Sequence, residues 1–332
     1  MDKHAPKGKR HLAVKIVAAV LAVLLVGAGA AYAWWRNSIE EGRRAMTEAV
    51  TQRAREQEGT IEYDGKRWAL NEDVVTVCFI GYDNTGDGEN KGGQSDTVLV
   101  VALDTATGSA RAINVPRDSM VTVDAYSGDS FAGQTTEQLC LQYSYGDGGH
   151  RSSELTTNAV SRLFYNVPIN YYFTLNINGV ADLNDAVGGV TLTALQDIPT
   201  AGIREGQEVT LLGNAAKRYV QYRESDATGS LGRQERQIQY IQAFVSKVLS
   251  MAKSDPTKII DLYNEAQRYT FTNLGLDEFS FLADTMLAHG VSGFEMVQLE
   301  GEMTRGDTYA EYHLDKEFLR KTVIETFYEE VE

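Results

Sequence analysis

The chain has 332 residues, with 31 Lys and Arg against 46 Asp and Glu, a net charge of −15. With 43% hydrophobic residues, 17 Tyr and 11 Phe it can bury a sizeable core, which excludes global disorder, and the acidic balance excludes a non-specific nucleic-acid binder, which needs a basic footprint. Two cysteines are too few for a disulfide framework or a cysteine-built zinc centre.

The charge is unevenly placed. Residues 1–15 carry Lys3, Lys7, Lys9, Arg10 and Lys15 against Asp2, a local +4 that leaves −19 on the rest. Residues 16–35 (IVAAVLAVLLVGAGAAYAWW) carry no charge, and about 20 apolar residues in a helix span a hydrocarbon core. The basic flank marks the cytoplasmic side, and Trp34-Trp35 suit the far interface. The expectation is a cytoplasmic tail over 1–15, one transmembrane helix over 16–35, and the remainder outside the cell membrane. The rival is a cleaved signal peptide, because Ala31-Tyr32-Ala33 has the small-x-small form. The length of the apolar run and a Trp at the first mature position weigh against it.

Residues 36–72 read as stalk and hairpin. Positions 37–57 are polar, free of Pro and rich in helix formers, as in a solvated helical stalk. The alternation from Ile61 to Trp68 around Asp64-Gly65 is a hairpin signal. An outer domain over 73–330 follows. Val74 to Ile80 is a continuous apolar run, as in a strand buried on both faces. A Gly/Asp/Asn-rich loop leads to a second such strand, Thr97 to Leu103, and a turn at 104–108 leads to a third, Ala110 to Val115. A helix is expected over Ser153–Phe164, opened by Ser caps, then a strand over Tyr171–Ile177 and a short helix over Val180–Val187. The long helix 234–251 puts Ile241, Phe244, Val245, Val248 and Leu249 on one face. Alternation of this kind implies an α/β fold, a three-layer α/β/α arrangement with a central mixed sheet.

Asp83 lies just past the C-terminal end of the first buried strand and Asp96 just before the second. If the strands are neighbours, both carboxylates fall at one edge of the sheet, where ligand sites of open α/β sheets lie. Two hard oxygen ligands with room for water suit Mg²⁺; an ordinary solvated loop is the alternative. Arg117 lies in Asn-Val-Pro-Arg-Asp, Arg223 in Tyr-Val-Gln-Tyr-Arg, and Arg233, Arg236 and Gln237 at the opening of the long helix. Positions 233, 236, 237 and 240 share a face that starts at a helix N-terminus, which favours anions. Guanidinium groups bind phosphate oxygens bidentately, so the set suits a pyrophosphate, although surface salt bridges explain any single Arg as well. There is no G-x-S-x-G, H-E-x-x-H or P-loop, and the five His show no ligand spacing. Cys78 reads as an apolar filler; outside the cytoplasm a Cys78–Cys140 disulfide is one open alternative.

Taken in order, Phe79-Ile80-Gly81-Tyr82-Asp83, Gly93-Gln94-Ser95-Asp96-Thr97, Asn114-Val115-Pro116-Arg117-Asp118, Gln142-Tyr143-Ser144-Tyr145-Gly146-Asp147-Gly148, Asp185 to Val190, Tyr219 to Arg223 and Gly232-Arg233…Arg236-Gln237 resemble the core of the LytR-CpsA-Psr (LCP) family over residues 73–252. The resemblance implies a Gram-positive cell-envelope phosphotransferase. Such an enzyme moves a glycopolymer, a teichoic acid or capsular polysaccharide, from a polyprenyl-pyrophosphate carrier to peptidoglycan. By position, Asp83 and Asp96 would hold Mg²⁺; Arg117, Arg223, Arg233 and Gln237 would grip the pyrophosphate, and an apolar interior would hold the prenyl chain. The chain departs from the family's usual pattern: Gln94 and Gln221 stand where Arg is usual, and Gln138 and Cys140 where Lys and Asn are usual. It resembles a variant branch with Gly-Gln-Ser-Asp and Leu-Cys-Leu. Gln94 and Gln221 can still hydrogen-bond phosphate, without the charge-assisted gain. The Gln94, Gln221 and Gln138 replacements motivate one alternative, a non-catalytic polyprenyl-(pyro)phosphate scaffold or envelope regulator; another is a lipid-pyrophosphate hydrolase, with water in place of the sugar acceptor. Asp226 is a candidate base for the attacking hydroxyl.

Overall fold

The apolar run that begins at Val74 is the spine of the molecule. The computed structural model describes residues 33–52, 59–83, 93–224, 229–289, 294–306 and 309–331. The expected tail and most of the expected membrane span, residues 16–32, lie outside them. Among the described residues no helix is long and apolar enough to cross a membrane.

Helix α1 covers residues 33–52. It is not the solvated stalk that its composition implies. Ile39, Met46 and Val50 are buried against Val75, Tyr171, Leu274 and Phe281. The stripe is narrow and diluted by Glu and Arg, so it barely registers as amphipathic. Ser38 donates to the Asp277 carboxylate, and a Cβ at Gly42 would overlap the Asp277 carbonyl; only glycine permits that approach.

Strands β1 (Ile61–Tyr63) and β2 (Lys66–Leu70) form a hairpin. Asp64 and Gly65 turn it with φ of 51° and 72°, the left-handed pair that a two-residue loop requires. β3 (Val74–Asp83) and β4 (Gln94–Asp104) pair antiparallel, and β5 (Ala110–Asn114) adds to β4. β6 (Met120–Ser127) and β7 (Ser130–Gln138) make a separate ribbon. Helices α2 (Leu139–Gln142) and α3 (His150–Leu163) lead to β8 (Tyr171–Asn176), which lies parallel to β3. Next come α4 (Val180–Ala186), the pair β9 (Val190–Thr193) and β10 (Glu208–Leu211), α5 (Asn214–Gln221) and the 26-residue α6 (Gly229–Ser254). The chain continues through α7 (Lys258–Ala266), β11 (Thr270–Thr272), α8 (Leu276–His289), β12 (Phe294–Gln298), the hairpin β13 (Gly301–Arg305) and β14 (Ala310–Leu314), α9 (Lys316–Phe327) and β15 (Tyr328–Val331). β15 pairs with β2, so the early hairpin is closed by the last strand.

The central sheet has the order β11-β8-β3-β4-β5-β12. β3 and β8 are parallel, as are β5 and β12, and the other neighbours are antiparallel. This is the expected mixed sheet. Alternate side chains of β3 point to opposite faces. Cys78, Ile80 and Tyr82 enter a core with Val160 of α3 and Leu319, Val323 and Phe327 of α9. Phe79 faces Val180 and Leu183 of α4, Val220 of α5 and Ile241 and Phe244 of α6. Helices therefore cover both faces.

Two helix starts differ from expectation. α3 begins at His150, because Asp147 Oδ1 accepts from the Gly149 and Ser152 amides at 2.7 and 3.2 Å and starts the helix early. The Ser152 and Ser153 hydroxyls instead bond the Tyr143 and Gly149 carbonyls. α6 begins at Gly229, so Arg233 and Gln237 lie inside the helix and not at its N-terminus. Cys78 and Cys140 are both free and buried, so the disulfide alternative is set aside.

Candidate functional site

β3 and β4 are neighbours, and their pairing brings Asp83 opposite Gln94. The register shifts between Gly81 and Tyr82: Gly81 faces Thr97 and Tyr82 faces Ser95. Asp96 is the extra residue, and a bulge of this kind re-aims a side chain at the end of a ladder. Asp83 and Asp96 thus border one cavity of about 90 Å³, together with Thr97, Gln221, Arg233 and Gln237.

Arg117 sits on a tight turn. The Ser119 amide donates to the Pro116 carbonyl at 3.0 Å, and the Cys140 amide donates to the Arg117 carbonyl at 3.0 Å. Its guanidinium is held on several sides. Nη1 is paired with Asp96 Oδ1, Nε lies 3.3 Å from Asp118 Oδ1, and Nη2 donates to Gln94 Oε1 at 2.6 Å and to Cys140 Sγ at 3.2 Å. Burial works against its charge, but Cys140, Asp96 and Asp118 outweigh that and raise its pKa above the usual arginine value. Arg233 Nη2 reaches the same Asp96 Oδ1 at 3.7 Å. Burial lowers the Arg233 pKa; Asp96 opposes the shift, while the like charges of Arg117 and Arg223 add to it. Arg233 also keeps a buried Nε without a hydrogen-bond partner. Arg117, Arg233 and Arg223 thus offset the carboxylates of Asp83, Asp96 and Asp118, so this end is locally balanced in an acidic chain, and Arg233 carries the like-charge repulsion.

The replacements Gln221, Gln138 and Gln94 each bond a charged group, whereas Gln237, which matches the family pattern, bonds uncharged ones. Gln221 Nε2 donates to Asp83 Oδ2 at 3.2 Å. Gln237 accepts from the Thr97 hydroxyl at 3.0 Å and donates to the Val220 carbonyl at 3.2 Å. Gln138 Nε2 bonds Asp118 Oδ1 at 3.2 Å and the Ala310 carbonyl at 2.7 Å. Gln94 accepts from Arg117, which an arginine in its place could not do, since guanidinium only donates.

The structure gathers Asp83, Asp96, Gln221, Arg233 and Gln237 on the cavity and sets Arg117 and Gln94 directly behind Asp96. Arg223 is exposed just past α5, within electrostatic reach of Arg233. Asp226 lies outside the described residues. Arg236 shares its helix with Arg233 but is fully buried. It donates to the Tyr219 carbonyl at 3.0 Å and to the Tyr222 carbonyl, closing the end of α5. Reading the sequence missed Thr97, Asp118 and the placement of Cys140 against Arg117; the only signal for the last is its position in the Leu-Cys-Leu stretch. Burial raises the Cys140 thiol to about 11 although Arg117 opposes the shift, so it is a neutral thiol near pH 7.

A second cavity of about 120 Å³ adjoins the first. It is lined by Phe79, Leu175, Leu183, Tyr240, Ile241 and Phe244, and it shares Thr97, Ile177 and Gln237 with the polar cavity. The family model for LytR_cpsA_psr matches residues 38–326. The chain belongs to the LytR_cpsA_psr family. It is similar to proteins named polyisoprenyl-teichoic acid–peptidoglycan teichoic acid transferase TagU. The one from Bacillus subtilis (strain 168) is 26% identical, covering 83% of this chain and 82% of that protein. The one from Enterococcus faecalis (strain ATCC 700802 / V583) is 28% identical, covering 91% and 92%. The crystal structure of B. subtilis TagV superposes with a TM-score of 0.63 at 23% identity, covering 77% of this chain and 98% of that one, a likeness of fold.

Proposed function

We propose that this LytR_cpsA_psr member transfers a glycopolymer from a polyprenyl-pyrophosphate carrier to peptidoglycan. The observation that carries this reading is the junction of the two cavities at Thr97, Ile177 and Gln237. A polar pocket with two carboxylates and a half-buried arginine adjoins an apolar one, as a ligand with an anionic head and a hydrocarbon tail requires. The TagU relatives, named as acting on polyisoprenyl-linked teichoic acid and peptidoglycan, supply the substrate class.

In this reading the prenyl chain lies along α6 against Phe79, Ile241 and Phe244, and the pyrophosphate lies at the ends of β3 and β4. Arg233 and Gln237 face it directly, and Arg223 closes from the exposed side. Arg117 exchanges part of its contact with Asp96 for phosphate oxygen, and Gln94 holds its guanidinium during that exchange. Gln221 fixes Asp83. The donor set fits Mg²⁺: Asp83 and Asp96 border one cavity, both arginine contacts of Asp96 fall on Oδ1, and Mg²⁺ takes one or two carboxylates with phosphate oxygens and waters. When bound there, Mg²⁺ neutralises charge on the pyrophosphate. A hydroxyl of the acceptor attacks in line at the phosphorus bearing the glycopolymer; the bond from that phosphorus to the bridging oxygen breaks, a phosphodiester forms, polyprenyl phosphate leaves with the bridging oxygen, and the hydroxyl proton passes to it or to solvent. Arg117 and Arg233 stabilise the charge that builds on the oxygens. In this reading the expected anchor over residues 16–35 holds the chain in the cell membrane, N-terminus inside, with the outer domain beyond it.

Binding tests the reading at its junction. Full-length protein in detergent should bind a polyprenyl pyrophosphate, and binding should fall at least tenfold with EDTA and with Ile241→Trp, which fills the apolar cavity. Binding insensitive to both would contradict it.

A further inference from the structure

A groove of about 720 Å³ lies across the sheet from the apolar cavity, between β6, the end of α3 and the junction of β14 with α9. Met120, Gln134, Tyr165, Asn166, His313 and Lys316 are among its walls. One end adjoins the reaction site. Met120 is three residues beyond Arg117, and β14 is stitched to the Arg117 turn: the Tyr312 amide donates to the Asp118 carbonyl at 2.9 Å, and Gln138 joins Asp118 to Ala310.

At the other end Tyr165 and Asn166 hold φ of 58° and 65°. Glycine usually ends a helix in this conformation, and a bulky side chain there costs about 1 kcal/mol. Surrounding bonds enforce it: the Asn166 amide donates to the Ser161 carbonyl at 2.8 Å, and the Ser161 hydroxyl donates to the Val167 carbonyl at 2.7 Å. About half of Tyr165 remains open to solvent, the residue being 49% exposed. A strained, half-exposed aromatic residue at the mouth of a groove points to a use for the side chain. The charged side chains among the groove's lining residues are Arg162 and Lys316, both basic, and His313 adds an imidazole. Arg162 is paired with Asp124 at 3.0 Å and His313 lies 3.2 Å from Glu311, while Lys316 reaches the groove from the first turn of α9.

We propose that this groove binds the acceptor, a carboxylate-bearing glycan of N-acetylated hexosamines. Tyr165 stacks on a sugar face, as amphipathic aromatic rings do. Gln134 and Asn166 present amides to acetamido groups, and Lys316 meets a carboxylate. The assignment of the glycan to peptidoglycan rests on the transfer reading above.

The test titrates the full-length chain, in detergent, with a soluble peptide-bearing muramyl oligosaccharide. Wild type and Tyr165→Phe should bind it. Tyr165→Ala should bind roughly tenfold more weakly, and added salt or Lys316→Ala should weaken binding further. Tyr165→Gly should raise the melting temperature, because it relieves the strained φ, yet lose binding; that pairing separates recognition from a folding defect. No binding by wild type, or equal binding by Tyr165→Ala, would overturn the proposal. The titration needs neither donor nor turnover. Failed transfer with intact glycan binding would sink the transfer reading and leave the groove, and transfer with Tyr165-independent glycan binding would do the reverse.

Discussion

Cys78 and Phe79 are neighbours in β3 and look into opposite worlds. Cys78 and Ile80 point into a filled core, fully buried among α3 and α9. Phe79 and Gly81 point at cavities, one apolar and one polar, beneath α6. Strand periodicity sets both faces equally, so the difference comes from what packs on them. α9 offers Leu319, Val323 and Phe327 and closes its side. α6 offers Arg233, Gln237 and Tyr240 together with Ile241 and Phe244, leaving a space that starts polar and ends apolar. One face supplies stability and the other leaves room for a ligand.

Matched truncations break this comparison most sharply. Ile80→Ala should cost about 2–5 kcal/mol of stability, the range for emptying a packed core position. Ile241→Ala, on a wall that already borders a void, should cost about 1 kcal/mol and weaken prenyl binding. Denaturant unfolding of both checks the order, and equal losses would mean that the α6 side is as closed as the other. A smaller effect is expected at Asp147, which starts α3 on the filled face. Asp147→Ala should cost about 1 kcal/mol, as loss of a helix-capping side chain does. Burial pushes the Asp147 carboxyl up, but the Gly149, Ser152 and Arg151 amides outweigh it and hold it below its ordinary 3.8. The stabilisation is therefore present above pH 3.8 and lost as pH falls through the lowered folded value. The gap between wild type and Asp147→Ala should close in acid and stay constant near neutrality. Thiol reactivity should show the least change of all. Burial raises Cys78 to about 12 and Cys140 to about 11, so at pH 7 a thiol reagent should find neither in the native chain and both after unfolding. A disulfide would yield none in either state.

The sheet was legible because its strands are long β-branched runs, and the site edge followed from placing Asp83 and Asp96 at facing strand ends. The bulge at Gly81 and Tyr82 was not legible. No residue type announces it, yet it decides where Asp96 points. Helix α1 hid its contact in three apolar residues among charges, so its docking on Asp277 became visible only in three dimensions. The glutamines were legible as lost cations, but Gln94 was not legible as a gained acceptor. That Gln94 holds Arg117 follows from an oxygen–guanidinium contact, which depends on the Pro116–Ser119 turn. Arg233 and Arg236 look equivalent in sequence, but three residues of helix place one at the cavity and the other at a buried helix end.

The central claim is that the cavity junction at β3, β4 and α6 is a transfer site, and transfer itself measures it. Full-length protein is supplied with a glycopolymer on polyprenyl pyrophosphate, peptidoglycan and Mg²⁺, and glycopolymer fixed to peptidoglycan is counted for wild type and Asp96→Asn. The account predicts transfer by wild type and a loss of roughly 100-fold or more in Asp96→Asn, with the folded structure retained. Absence of transfer with every donor, or an Asp96→Asn variant as active as wild type, would contradict it.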